Sequence, residues 1–342
     1  MIGIGNAAGL VVCVGLMAGG AASPALALPF TTISVPGADQ TFAEGINDSG
    51  EIVGNYYSGT NAVVGGPAVY GFTDVGGAIT TFQVTTAQAP LAIPGATLIF
   101  GVSNNGTLGG SYIDSLGNQY GFLDAGGVFT SLNDPNADPA FGQIVSSVND
   151  YGEAVGIYID SSGVEHGFSW SSGTGFATVD SPAGSLQTVA GGVTDNGDIY
   201  GDYVDALGNA HGFEQTAGGV FTTLDDPAHV GSSFINEGNA KGELTGAWLD
   251  SSGDYHPYVV VGGSYYDLSL PAVTAQPWGI NDKGQVVGFY QASADGPNEG
   301  FLTAVPEPQT WAMMLVGIGL MGASLRRRRV HPLCEDGRRA GA

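Results

Sequence analysis

The chain has 342 residues, 43% of them hydrophobic, which is ample for a buried core and excludes a disordered chain. Six of its eight basic residues are arginines near the C-terminus, so between Leu28 and Val305 29 acidic side chains face only Lys241 and Lys283, a net charge of −27. That field repels nucleic acid and anionic membranes and attracts cations, and with Cys13 and Cys334 confined to the terminal segments the body excludes a disulfide scaffold, zinc-thiolate sites and a cysteine nucleophile.

Residues 1–27 read as a signal peptide. The apolar run Gly9 to Met17 leads into small residues and then Ala25-Leu26-Ala27, the A-x-A form that signal peptidase cuts, with Ala25 and Ala27 as the recognised positions.

Residues 28–304 repeat with a period of about 45 residues. The first element of the repeat is GINDSGEIVGNY at Gly45, GVSNNGTLGGSY at Gly101, SVNDYGEAVGIY at Ser147, GVTDNGDIYGDY at Gly192, NAKGELTGAW at Asn239 and GINDKGQVVGFY at Gly279. Its turn glycines are Gly50, Gly106, Gly152, Gly197, Gly242 and Gly284. A second element follows as YGF, YGF, HGF, HGF, HPY and EGF at Tyr70, Tyr120, His166, His211, His256 and Glu299. A third, resembling GGVFTSLNDP, occurs at Gly76, Gly126, Gly173, Gly218 and Gly262 and is missing from the sixth repeat. Its counterpart lies at the other end of the chain, where Pro29 to Pro36 matches Val220 to Pro227. Asn/Asp-x-Gly between short apolar runs is hairpin chemistry, and four strands in about 45 residues is the size of a propeller blade. The reading is an all-β, six-bladed β-propeller closed by an N-terminal strand; an elongated solenoid is the alternative architecture.

The recurring G-I-N-D-x-G with the later (H/Y)-G-F resembles the bacterial extracellular HAF-type repeat family over nearly all of residues 29–304. That resemblance implies architecture and an extracellular location, and no known enzymatic activity.

Several residue sets could carry chemistry. Asp114, Asp160, Asp205 and Asp250 each open an Asp-x-x-Gly turn; turn formation alone explains them, and Ca2+ binding is the functional reading. His166, His211 and His256 share one repeat position and could meet near an axis as metal ligands, or serve as structural histidines. Tyr56, Tyr112, Tyr158, Tyr203, Trp248 and Tyr290 share another, suited to packing between blades or to stacking on sugars. Acidic pairs such as Asp225-Asp226 leave a glycosidase-like carboxylate pair open, while no G-x-S-x-G, H-E-x-x-H or phosphate-cradling loop is present, so no catalytic residue is assigned.

At the C-terminus Pro306, Glu307 and Pro308 make an extended hinge before the apolar stretch Trp311 to Leu325, which as a helix spans about 22 Å. Arg326, Arg327, Arg328 and Arg329 follow and are placed on the cytoplasmic side; residues 330–342 form a disordered extension. VPEPQTWAMMLVGIGLMGASLRRRR, residues 305–329, resembles the PEP-CTERM sorting signal of Gram-negative bacteria. The resemblance implies cleavage near Pro-Glu-Pro by an exosortase, an inner-membrane intermediate held by the C-terminal helix, and release to a cell surface where exopolysaccharide and biofilm are made. Together these readings describe an exported, non-enzymatic binding or structural propeller with polysaccharide or other surface components as partners. An enzyme acting on extracellular glycans and a purely structural matrix component are the alternatives.

Overall fold

In each repeat the Asn/Asp-x-Gly turn reverses the chain because its glycine takes a left-handed conformation, from φ +70° at Gly284 to +86° at Gly50, which an L side chain resists. In the computed structural model, which describes residues 25–26, 28–61, 65–181 and 184–305, every repeat is an antiparallel meander of four strands. Of the expected signal peptide only Ala25 and Leu26 are described, and residues 306–342 lie outside the described residues. No helix long and apolar enough to cross a membrane occurs among the described residues.

The first repeat consists of Gln40–Ile46, Glu51–Asn61, Gly66–Val75 and Ala78–Phe82. Its third strand touches the second repeat's first strand, Ala92–Val102, at one parallel pair, Val69 with Ala96, so the two meanders form one eight-stranded sheet. The third, fourth and fifth repeats begin with the strands Gln143–Val148, Gln187–Val193 and Ser233–Gly238. In the sixth, Thr274–Ile280, Gln285–Gln291 and Asn298–Ala304 are completed by Phe30–Ile33 from the N-terminus, with Phe30 opposite Thr303 and Ile33 opposite Gly300. The fifth repeat carries one extra pairing, Ala25–Leu26 alongside Asp267 and Leu268. Successive meanders pack face to face around an axis, an all-β propeller.

The G of V-G-x-Y exists for packing. A Cβ on Gly156 or Gly201 would stand within 1.9 Å of the first-strand carbonyl of Ile144 or Val189. The vacancy is covered instead by the ring of Phe168 or Phe213 from the H-G-F strand, both fully buried. The same glycine–ring pair recurs as Gly54 with Phe72, Gly110 with Phe122 and Gly246 with Tyr258. Truncation of Phe213 to alanine is expected to cost about 3–5 kcal/mol. Gly201→Ala should cost at least as much, since the clash is with backbone; urea unfolding midpoints measure both.

The aromatic column on the second strand works across its own repeat. Tyr158, Tyr203 and Trp248 stack on His166, His211 and His256 with ring centroids 5.1, 5.1 and 4.0 Å apart. Their polar tips reach the fourth strand: Tyr158 to Thr178 at 3.1 Å, Tyr203 to Thr223 at 2.9 Å and Trp248 Nε1 to Asp267 at 3.3 Å. In the sixth repeat the equivalent Tyr290 bonds Thr32 of the N-terminal strand at 2.9 Å, so that strand occupies the same place as the others. The column thus pins strands two, three and four of one meander together and also packs between repeats, where Tyr158 is buried with Leu123 and Leu132 of the second repeat and Tyr290 with Val259 and Leu268 of the fifth.

Candidate functional site: an axial cavity

Where a repeat carries the Asn of G-I-N-D, that Asn ties it to the next repeat. Asn47 Oδ1 accepts the N–H groups of Ser49 and Glu51 inside its own turn, while Nδ2 donates to the carbonyl of Ser103 in the second repeat. Asn149 reaches Thr194, Asn239 reaches Asn281, and Asn281 reaches Asn47, joining the last repeat to the first; the second and fourth repeats carry Ser103 and Thr194 at this position. A second circuit uses the following residue: Asp48 N–H donates to Asn104, Asn104 to Asp150, Asp150 to Asp195, Ala240 to Asp282, and Asp282 to Asp48. The two circuits line one end of the axis.

Toward the other end, every first strand carries a β-bulge at the same repeat position. The extra residues, skipped in the pairing register, are Glu44, Phe100, Ser146, Gly191, Asn236 and Trp278. A bulge re-aims a side chain out of the pleat, and all of these residues line one axial cavity of about 390 Å³. The inner strands approach so closely that a Cβ on Gly45 would lie 2.7 Å from the Phe100 carbonyl, and one on Gly279 3.0 Å from the Glu44 carbonyl. Glu44 therefore stands on the ring between Trp278 and Phe100. Asp202 and Tyr255 add a second tier of wall.

Among the described residues three carboxyl-bearing side chains line this cavity, and no Lys, Arg or His does. Glu44, 8% exposed, takes one hydrogen bond on Oε1 from Asn55 at 3.2 Å, and its buried Oε2 has no partner. Burial pushes its pKa up to about 7 against that hydrogen bond. Asp202, also 8% exposed, is pushed to about 7 by burial and secondarily by the Glu165 charge. Glu237 reaches across the ring to Ser147 Oγ at 3.3 Å and accepts the Ile280 N–H at 3.1 Å; burial still raises it to about 8. Glu237 touches both the cavity and the Asn/Asp circuits, so its carboxyl forms the floor between them. For each of the three, burial is the leading cause of the shift rather than a carboxylate neighbour.

The residues singled out from sequence do not build this site. Asp114, Asp160, Asp205 and Asp250 each direct Oδ1 at two backbone N–H groups of their own turn, as Asp205 does to Leu207 and Asn209, both at 2.8 Å. Hydrogen bonds led by the Asn209 side chain pull Asp205 to about 2, and the His256 contact leads the same effect on Asp250. His166 and His211 are each held between two such carboxylates of their own repeat, Asp160 with Asp180 and Asp205 with Asp225, and His256 bonds Asp250. The histidines thus do structural work on separate meanders, and among the described residues no group of three or more His, Cys, Asp or Glu is placed to hold a metal ion. Ala27, the Pro-Glu-Pro residues and the arginine cluster lie outside the described residues. The bulge residues went unnoticed in the sequence although a signal was there. Each is the residue directly before the glycine of G-I-N-D or its equivalent, a column that varies from Glu to Trp inside an otherwise constant motif.

Among known proteins, no curated sequence matches the chain. Solved structures similar to it include a streptogramin B lyase (13% identity, 81% of this chain and 98% of that one, TM-score 0.45). AofleA from Arthrobotrys oligospora is similar at 13% identity over 84% of this chain and 92% of its own, TM-score 0.47. The SapL1 lectin in complex with alpha methyl fucoside is similar at 11% identity over 79% and 98%, TM-score 0.45. Residues 304–329 match the PEP-CTERM protein-sorting motif. The motif indicates export to the cell surface through a membrane-anchored intermediate processed by exosortase.

Proposed function

We propose that the chain is a surface-delivered binding protein whose propeller has six blades, one per repeat, and holds a saccharide in its axial cavity without transforming it. The observation that carries this reading is the ring of bulged residues. The turn, the H-G-F strand and the packing glycines recur, as a scaffold does, while the bulged column turned into the cavity differs from repeat to repeat, as a recognition surface does. A volume of about 390 Å³ falls in the range of small-ligand sites, roughly 300–1,000 Å³. Phe100, Phe234 and Trp278 offer faces on which a sugar ring stacks, and Asn236 and Gln276 offer amides to its hydroxyls. The sorting motif at residues 304–329 supports delivery to the cell surface, a setting that suits polysaccharide binding and the resemblance of the repeats to the HAF type. With signal peptidase acting at Ala25 and Ala27, the mature chain begins near Leu28 and ends near Pro306.

A glycan-array screen with and without chelator tests the reading. Saturable binding that Trp278→Ala lowers at least tenfold is the expected result; no binding in either condition points to a structural matrix component. A glycan-cleaving enzyme is the second reading, favoured by the three protonatable carboxyls, since a carboxyl raised to about 7 suits a general acid. Release of reducing ends from a bound glycan, lost in Glu44→Gln, would establish it.

A further inference from the structure

We propose that the axial cavity selects an organic ammonium group, presented by a saccharide whose amine is free rather than acetylated, with Glu44 as its counter-ion and Trp278 and Phe100 as flanking aromatic faces. The inference rests on the saccharide reading above and narrows it to one ligand class. The first support is an orphan. Glu44 is more than nine-tenths buried, its Oε2 lacks any hydrogen-bond partner, and the residue is part of the cavity wall. A buried acceptor without a donor is costly unless something fills the vacancy. An ammonium group brings up to three N–H donors and a full charge to that atom.

The second support is the order of residues around the ring. Trp278, Glu44 and Phe100 come from the sixth, first and second repeats, whose inner strands are in contact through Gly279, Gly45 and Gly101. A carboxylate between two aromatic residues is the donor set that recognises an alkylammonium, by ion pairing and by cation–π attraction. The third support is the charge of the walls. Asp202 and Glu237 face the same space, Glu165 lies behind Asp202, Tyr255 is a phenol on the wall, and Tyr57, near Glu44, is made less acidic by burial and then by the Glu44 charge. With no basic side chain on the wall, an anionic or neutral ligand finds no charge partner there, and a cation finds three acids. Those acids are held partly protonated at neutral pH in the empty cavity. Binding an ammonium favours the carboxylate form, so the displaced carboxyl proton passes to the solvent.

Calorimetry on the full chain at pH 5.5, where the sugar amine is already an ammonium and the Glu44 carboxyl still holds its proton, tests this with two probes that differ only in acetylation: a trimer of glucosamine and the same trimer N-acetylated. The glucosamine trimer is expected to bind at least tenfold more tightly and to release protons, seen as a binding enthalpy that changes with the ionisation enthalpy of the buffer. Glu44→Gln, which keeps the oxygen that meets Asn55, should erase both the preference and the proton release. Should Glu44→Gln fail to fold, Trp278→Ala, which removes one flanking aromatic face, should weaken binding of the glucosamine trimer more than that of its N-acetylated form. Equal or tighter binding of the N-acetylated trimer, or binding of the amine without proton release, overturns the ammonium proposal and leaves the saccharide reading standing. Failure of both trimers to bind overturns both.

Discussion

Deletion of residues 28–36 is expected to abolish cooperative folding, although it removes only nine residues. Phe30–Ile33 is the fourth strand of the sixth repeat, paired with Asn298–Ala304 over four residue pairs. Ile33 and Val35 are buried with Ala43, Ile46, Phe72 and Val287, a cluster that joins the sixth repeat to the first, and Phe30 meets Tyr290 edge-on at 5.4 Å. Fully burying an aliphatic side chain contributes roughly 1.5–3 kcal/mol, so Ile33 and Val35 alone supply about 3–6 kcal/mol, to which the half-buried Phe30 adds. A whole domain has only about 5–15 kcal/mol of net stability. Their loss would also expose the open edge of Asn298–Ala304, leave Tyr290 without Thr32, and invite pairing with a second chain. Circular dichroism melting and size-exclusion chromatography would show a lost or broadened transition and larger species; a synthetic peptide of residues 28–36 should restore the transition. A truncated chain that melts sharply at the original temperature would show that the ring does not depend on this strand.

The chain order of the fold was legible because repetition compresses it: turn glycines, the H-G-F strand and the displaced Pro29–Pro36 segment each have one structural meaning that recurs. Propeller closure could be read from the missing third element of the sixth repeat, since Phe30-Thr31-Thr32 matches Phe221-Thr222-Thr223 and both threonine pairs serve the second-strand tyrosine. The site was not legible by the same logic. Repetition draws attention to residues that recur, and so to Asp205 or His211, whose recurrence is the mark of a turn and a strand pin. Recognition in a ring falls to the positions that break the repeat. The bulge that aims Glu44 and Trp278 inward is a matter of pairing register, one residue in excess on one strand, and its trace in the sequence is a variable residue before a recurring glycine, which attention to repetition passes over. The glycine after it was seen as motif; its reason, the contact with the next repeat's backbone, needs the ring.

Stability is expected to be greatest near pH 4–5 and to fall as pH rises to 8, the reverse of what a chain rich in paired surface carboxylates would do. Glu44, Asp202 and Glu237 are held at about 7, 7 and 8, whereas in the unfolded chain they ionise at ordinary carboxyl values. Between those limits the folded state binds more protons than the unfolded one, so each rise in pH favours unfolding. A tenfold difference in acidity is worth about 1.4 kcal/mol, and three groups so displaced sum to several kcal/mol by pH 8. His211 acts in the same direction: burial lowers its pKa, Asp225 and Asp205 outweigh that and raise it, and the stability it lends below its ordinary value is lost as pH climbs through the raised one. Below pH 4 the sign reverses, because Asp205 and Asp250, held near 2, lend stability that disappears as acid protonates them. Melting temperature against pH for the unaltered chain and for Glu44→Gln, Asp202→Asn and Glu237→Gln combined measures the effect. The triple variant should match the parent at pH 5, melt well above it at pH 8, and lose most of the slope between. Parallel curves would mean that the three carboxyls are ionised inside the folded ring. The cavity would then be a permanently anionic hole, and the proton release required of ammonium binding would vanish with its source.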